Sequence, residues 1–354
     1  MRIDHNALKQ LVSATFVAAG CDDQEGRRIA HYLTEANLVG HDSHGVIRVS
    51  YYIDWLRSGK VLANQQLKVV LENEVIAVVD GQYGFGQTIG EQATKLGIEK
   101  AARHGVSVIA LSNAGHLGRI GDWPLLAASA GLVSLHFVNT SGAGILVAPF
   151  GGIERRLSAN PIAAGVPVAG KSPILLDMSC CTIAEGKLKV AFNKGVPVPE
   201  GSIIDSTGSP TCDPKVFYGD PPGAILSIAG HKGYALGIIT EMLAGALTGG
   251  GASNPANADR LGNGMLSIYM APQFFQEKTT FAAEVERFIA WVKSSKKLTP
   301  DGQILMPGEI EEQTKAARLR DGIELDENTW KALTATAAAL GVQADKFAAQ
   351  KLAK

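Results

Sequence analysis

The sequence predicts an α/β fold in which a helical domain, assembled from both ends of the chain, clasps a β-rich middle. Three observations carry that expectation. The two ends place apolar residues at helical spacing, the middle breaks into short apolar runs of strand length, and glycine separates those runs. The chain has 40 Gly in 354 residues, about 11% against a usual 7%. They stand singly or in pairs where apolar runs end, as tight strand-to-helix turns and close backbone approaches to a ligand require. The predicted division is a discontinuous helical domain, 1–75 plus 281–354, and a sheet domain, 76–280.

Taken in order, Leu8, Leu11, Val12 and Ala18 form one helical face closed by Gly20. Asp22 caps a second helix carrying Ile29, Leu33, Ala36 and Leu38, ended by Gly40. A third helix is expected from about His44 to Leu56, stopped at Gly59. Residues 75–80, VIAVVD, form a strand. Further strands are expected at 106–111, 133–138, 174–177 and 266–269, and helices at 88–103, 122–130, 181–190 and 232–247. Turn-dense segments fill 205–214 and 219–223. The tail returns to helix at 281–294, after Pro307, a favoured first-turn residue, and across the Ala-rich 327–340.

Composition excludes several classes. Lys+Arg 33 against Asp+Glu 34, with a pI near 6.7, offers no electrostatic footprint for nucleic acid. Charged residues are 19% and apolar ones 46%, which is not the signature of disorder. The sequence shows no secretory leader and no uninterrupted apolar run of about 18 residues, so a cytoplasmic protein with no membrane partner is expected. Cys21, Cys180, Cys181 and Cys212 lack C-x-x-C spacing, and adjacent Cys180 and Cys181 cannot splay around one tetrahedral metal. Reduced, buried thiols and no metal are the expectation.

The strand VIAVVD runs into Gly84-Phe85-Gly86 and a helix, which suggests a dinucleotide turn. The G-x-G-x-x-G/A fingerprint fails at its third position, Ile89, and no acid stands about 20 residues on. A substrate-side or structural glycine turn replaces the Rossmann reading.

Three other clusters carry chemistry. In His41-Asp42-Ser43-His44-Gly45-Val46-Ile47-Arg48, a helix starting at His44 would put His44 and Arg48 on one face. Arg is suited to bidentate pairing with a 2-oxo or 2-hydroxy carboxylate, and His to moving a proton one carbon away. A helix cap and a solvated charge are the alternative. Asn113 to Trp123, with His116, Gly118, Arg119, Gly121 and Asp122, follows a strand, where α/β proteins present ligand groups; an ordinary polar turn remains open. Gly230-His231-Lys232-Gly233 opens a long apolar helix, a seat for pyrophosphate or a plain helix start. Asp177-Met178-Ser179 at a strand end and Pro307-Gly308-Glu309 at a helix start follow the same logic. Trp55, Trp123, Trp291 and Trp330 are assigned to packing.

HDSHGVIR, NAGHLGRIGDW, SANPIAAGVP, LLDMS followed by GK, GHKGYALG and MPGE occur in this order over nearly the whole chain. Together they resemble the type-2 malate/L-lactate dehydrogenase family, whose members include sulfolactate dehydrogenases. GRIGDW and NKGVPVPEG are most similar to its bacterial hydroxycarboxylate dehydrogenase branch. The resemblance implies a homodimer and a family-specific, non-Rossmann NAD(P)-binding sheet domain, with NAD the first expectation of the two cofactors. It implies His44 as proton donor in reduction, with Ser43 beside it, and Arg48 as carboxylate ligand. His116 is implied in proton transfer or in contact with cofactor or substrate. Cofactor contacts are implied at Asp177, Met178, Ser179, His231, Lys232, Gly233, Asn263, Pro307, Gly308 and Glu309. Many members read D-x-A-T-S where this chain has Asp177-Met178-Ser179-Cys180-Cys181, so two thiols stand in place of hydroxyls. In the imine-reducing branch an Asp follows the glycine that is Gly186 here; Lys187 argues against that chemistry.

The expected activity is reversible hydride transfer between nicotinamide and C2 of a small 2-hydroxy/2-oxo carboxylate such as malate or lactate. An NADP-dependent reductase of a diketo acid or another carbonyl, and a non-catalytic cofactor-binding protein, are the rival readings.

Overall fold

The computed structural model describes residues 1–142, 144–255 and 261–348; residues 143, 256–260 and 349–354 of the two predicted domains lie outside the described residues. The chain opens with β1 (Arg2–Ile3) and α1 (His5–Ala18), whose first turn is held by the Asp4 carboxylate accepting from Asn6 N at 2.9 Å and Ala7 N at 3.0 Å. Asp22 caps α2 (Asp23–Leu38) in the same way, accepting from Glu25 N at 2.7 Å. The next helix, α3 (Arg48–Arg57), starts four residues later than the sequence suggests. Gly45 adopts extended backbone, ψ −151°, so Asp42–His44 forms only a short 3-10 turn.

β2 (Lys68–Glu72), β3 (Ile76–Asp80), α4 (Gly86–His104), β4 (Val106–Ala114), α5 (Asp122–Ser129), β5 (Val133–Gly142), β6 (Ile162–Val168) and β7 (Lys171–Met178) follow. The sequence reading missed two of these strands. All five residues of β2 are exposed, so it has no apolar alternation, and β6 is interrupted by Gly165 and Pro167. α6 (Glu185–Lys194) begins later than 181 because Cys181 is drawn into a β-bridge with Ser227. β8 (Ile203–Ile204), β9 (Pro210–Thr211) and β10 (Ala224–Ile225) make a small three-stranded sheet. α7 (His231–Thr240) continues as a π-helical turn to Ala246, and β11 (Leu261–Met270) follows. The tail carries α8 (Lys278–Lys293), α9 (Glu309–Asp321), β12 (Ile323–Glu324), α10 (Glu327–Ala338) and α11 (Asp345–Ala348).

The main sheet runs β2-β3-β4-β11-β5-β6-β7. Only β3 and β4 are parallel, joined across α4; every other neighbouring pair is antiparallel. This is a mixed α/β sheet and not the parallel sheet of a dinucleotide fold, which removes the Rossmann reading of Gly84 and Gly86.

Among the described residues, the larger apolar clusters hold the chain as follows. Leu8, Leu11, Phe16, Leu33, Tyr52, Ile323 and Leu333 join α1, α2, α3, β12 and α10, so both ends of the chain share one apolar cluster. Pairing of Ile3 with Ile323 in β1 and β12 fixes the same junction. The main sheet packs through Ile89, Leu111, Trp123 and Tyr269 against α4 and α5. Val147, Leu188, Ile203, Phe217 and Ile225 form a third cluster under the small sheet.

Candidate active site

The loop from His41 to Gly45 is fixed from two sides. Asn37, on α2, donates to Asp42 Oδ1 at 2.6 Å and accepts from Val46 N at 2.8 Å. A Cβ on Gly45 would stand 2.2 Å from Asn37 Oδ1, so only glycine leaves room for that amide. From the other side α9 holds the loop. Arg318 donates to both oxygens of Asp42, at 2.6 and 3.0 Å, and to the Asn37 carbonyl, while His41 Nε2 lies 3.3 Å from Glu311.

His44 and Arg48 do not share a helical face, because His44 precedes α3 and Arg48 opens it. They converge nonetheless. Arg48 folds back to donate from Nε to the Ser43 carbonyl at 2.6 Å, and the Ser43 hydroxyl lies 3.1 Å from His44 Nδ1. The ring of His44 lies 5.6 Å from that of His116 at 10°, a stacked pair formed across 72 positions of sequence. Burial, and next the Arg48 charge, hold His44 well below the usual histidine range. The same two causes push His116 down to about 3. Both imidazoles are therefore neutral at pH 7.

His116 sits in the loop after β4. Leu117 N donates to Asn263 Oδ1 at 2.9 Å and Gly121 N to Asp177 Oδ2 at 2.9 Å. A buried ion pair stiffens the turn, with Arg119 donating to Asp122 at 2.5 and 2.9 Å. The demoted Gly86 has its role here. A Cβ on it would stand 2.1 Å from the His116 carbonyl oxygen, so the first turn of α4 passes against this loop only as glycine.

Of the segments implied for the cofactor, 307–309 packs along β7, whose end carries Asp177 and Met178. Leu175 N donates to the Pro307 carbonyl at 2.9 Å, and Gly308, at φ +99°, packs on Leu175. Glu309 accepts from Met306 N at 2.9 Å and from Lys293. Beyond Asp177 and Met178, Ser179 and Cys181 hydrogen-bond each other at 3.2 Å, and Ile228 N donates to the Cys180 carbonyl at 2.9 Å. That contact leads directly to α7. Ala229 and Gly230 both take positive φ, +50° and +61°, and no side chain caps the helix start, where His231 and Lys232 are exposed. Gly233 packs where a Cβ would lie 2.0 Å from the Ile228 carbonyl oxygen. A cleft of about 500 Å³, with Phe150, Ile153, Thr182 and Ser227 in its wall, opens beside them. An uncapped helix start with a lysine and bare N–H groups, beside an apolar cleft, fits a dinucleotide pyrophosphate. Asn263 has its amide committed to Asn139 O at 2.8 Å and Thr140 Oγ1 at 3.0 Å as well as to Leu117.

A Cβ on Gly186 would meet Ser43 Cβ at 2.8 Å, so the start of α6 closes over the His44 loop. Sequence reasoning missed Tyr52 and Gln87. The Tyr52 hydroxyl lies 2.7 Å from His116 Nδ1, and Gln87 Nε2 donates to that hydroxyl at 3.1 Å. Tyr52 lies within reach of the motif, but nothing in its spacing marks it, and Gln87 sits in a buried helix start between glycines.

Fold and relatives together define an oxidoreductase acting on CH–OH groups. The chain belongs to the malate/L-lactate dehydrogenase family, whose sequence pattern matches residues 3–334. It is 40% identical over 345 residues to hydroxycarboxylate dehydrogenase B of Escherichia coli, covering 96% of this chain and 95% of that one. It is 34% identical to an L-lactate dehydrogenase of Cupriavidus necator, covering 97% and 99%. The sulfolactate dehydrogenase structure from Methanocaldococcus jannaschii superposes with a TM-score of 0.86 at 34% identity, covering 98% and 99%. No helix among the described residues is long and apolar enough to cross a membrane.

Proposed function

We propose that this protein is a cytoplasmic, NAD-dependent dehydrogenase of a small 2-hydroxy acid, running reversibly to the 2-oxo acid. The observation that carries this reading is the convergence of Arg48 on two stacked, neutral imidazoles, His44 and His116. Arg48 pairs with the substrate carboxylate, leaving the C2 oxygen to the imidazoles. His231, Lys232, Gly233 and the 177–179 and 307–309 segments would hold the dinucleotide, whose nicotinamide would supply or accept the hydride.

In the free enzyme the Arg48 charge is one of the causes that keep His44 unprotonated. Burial is the larger cause; a carboxylate bound at Arg48 cancels the second, which raises His44 from its depressed value toward the protonated form that reduction needs. His44 then gives the proton to the developing alkoxide in reduction and takes it back in oxidation, with Ser43 orienting its ring. His116 polarises the ketone oxygen. Leu236, Ile239, Met242 and Leu247 expose an apolar row on α7 and its continuation, and this row supports the homodimer we propose.

The test is a panel of 2-oxo acids, diketo acids and their hydroxy partners followed by nicotinamide absorbance with both cofactors. Turnover of 2-oxo monocarboxylates or dicarboxylates with NADH is expected. Turnover confined to diketo acids with NADPH would replace this reading with the reductase alternative.

A further inference from the structure

We propose that Tyr52 and Gln87 set the tautomer of His116, leaving Nε2 as its proton-bearing nitrogen. Three elements supply the chain of contacts: Gln87 from α4, Tyr52 from α3 and His116 from the loop after β4. Gln87 Nε2 donates to the Tyr52 hydroxyl at 3.1 Å, which occupies that oxygen as an acceptor. A phenol has one proton to give. It goes to His116 Nδ1, 2.7 Å away. In a neutral imidazole the nitrogen that accepts is bare, so the proton sits on Nε2. Among the described residues no side chain hydrogen-bonds that Nε2.

The opposite polarity requires the Gln87 amide to be turned over. Its carbonyl would then accept from Tyr52, and Tyr52 would accept from a proton on His116 Nδ1. Gln87 Oε1 is buried without a partner as the amide now lies. Turning it would put an NH2 group with two donors in that place, and a bare buried N–H is the rarer and costlier fault. Tyr52 is also held firmly. Its side chain is 1% exposed, its ring stacks on Trp55 at 5.4 Å, and Phe16 and Phe85 close its edges. Burial pushes its hydroxyl up to about 12, so it keeps its proton across the working range.

Tyr52 and Gln87 are thus positioning residues acting through His116. A neutral imidazole with its proton on Nε2 donates a hydrogen bond to a ketone oxygen but does not deliver a whole proton, which leaves proton delivery to His44. This assignment rests on the proposed role of His116, and the experiment separates the two.

The decisive measurement is the long-range ¹H–¹⁵N spectrum of the resting full-length enzyme labelled with ¹⁵N-histidine, the His116 signals being assigned by their loss in His116→Asn. Protonated Nε2 and bare Nδ1 are expected. In Tyr52→Phe, which keeps the ring and deletes the hydroxyl, a mixture of tautomers is expected. Reduction of the 2-oxo acid should fall about 10-fold in kcat, the scale of one lost hydrogen bond, with KM for the nicotinamide unchanged. A proton on Nδ1 in the wild type, or the same tautomer in Tyr52→Phe, overturns the proposal. Should Tyr52→Phe fail to fold, the wild-type spectrum still decides. Undiminished turnover in His116→Asn would instead remove His116 from the reaction while the spectrum judges the tautomer on its own.

Discussion

The rings of His44 and His116 face each other at 5.6 Å and 10°, one from the turn before α3 and the other from the loop after β4. Two parallel imidazoles this close cannot both be cations without strong mutual repulsion, and burial already disfavours either charge. One added proton, carried on His44, is the charge the pair accommodates.

His44→Ala should therefore lower kcat by about 10²- to 10⁴-fold, the usual range for a general acid–base group. Binding of NADH, read by fluorescence titration, should be retained. Turnover near wild type in that variant would transfer proton delivery to His116.

Arg48→Lys keeps the charge but loses the planar fork, and the Nε contact to the Ser43 carbonyl goes with it. KM for the 2-oxo acid should rise by about 10- to 100-fold, the loss of one charge-assisted hydrogen bond. KM for the nicotinamide should not move. Equal rises in both constants would show that Arg48 is not a carboxylate ligand.

His136, fully buried in β5 between Ser134 at 3.0 Å and Ser267 at 2.9 Å, gives a pH dependence of stability. Burial pushes its pKa down to about 3, whereas in the unfolded chain it titrates near 6.5. As pH falls through 6.5 toward 3, only the unfolded state takes up this proton, so stability is lost at about 1.4 kcal/mol per pH unit. His136→Gln removes the titration. Between about pH 7 and pH 5 it should lose about 2 kcal/mol less than the wild type by urea denaturation. Identical pH slopes would sink the assignment.

Gly86→Ala places a methyl 2.1 Å from the His116 carbonyl oxygen. Overpacking of this kind costs about 1–3 kcal/mol, and the strain falls on the loop carrying His116. A drop in kcat larger than the loss of thermal stability predicts should follow; unchanged kinetics would show that the loop absorbs the methyl elsewhere.

Much of this was legible in residue order, and the reasons differ by element. Leu8, Leu11, Val12, Ile29 and Leu33 announce their helices because each faces one core at one period. His44, Arg48 and His116 stand out because each is an ionisable side chain a few residues at most from a glycine, where a proton or a carboxylate could be handled. β6 stayed hidden because Gly165 packs against the Pro124 carbonyl, so the close approach of α5 is bought with a residue that reads as a strand breaker. The start of α3 was misplaced because the Asn37 amide fills the space beside Gly45, a contact between residues on different elements. Tyr52 and Gln87 were invisible for the same reason, since their partner lies in a loop that only the tertiary fold brings to them.

The position of β11 has a consequence for synthesis. It lies between β4 and β5, pairing Leu266 with Ala110 on one side and with Phe137 on the other. A ribosome therefore exposes two apolar strands, and holds their facing backbone edges unpaired, for more than a hundred further residues before the strand that joins them emerges. Such long-range closure is slow and leaves sticky edges open meanwhile. The sheet cannot close between β4 and β5 until translation has passed Met270.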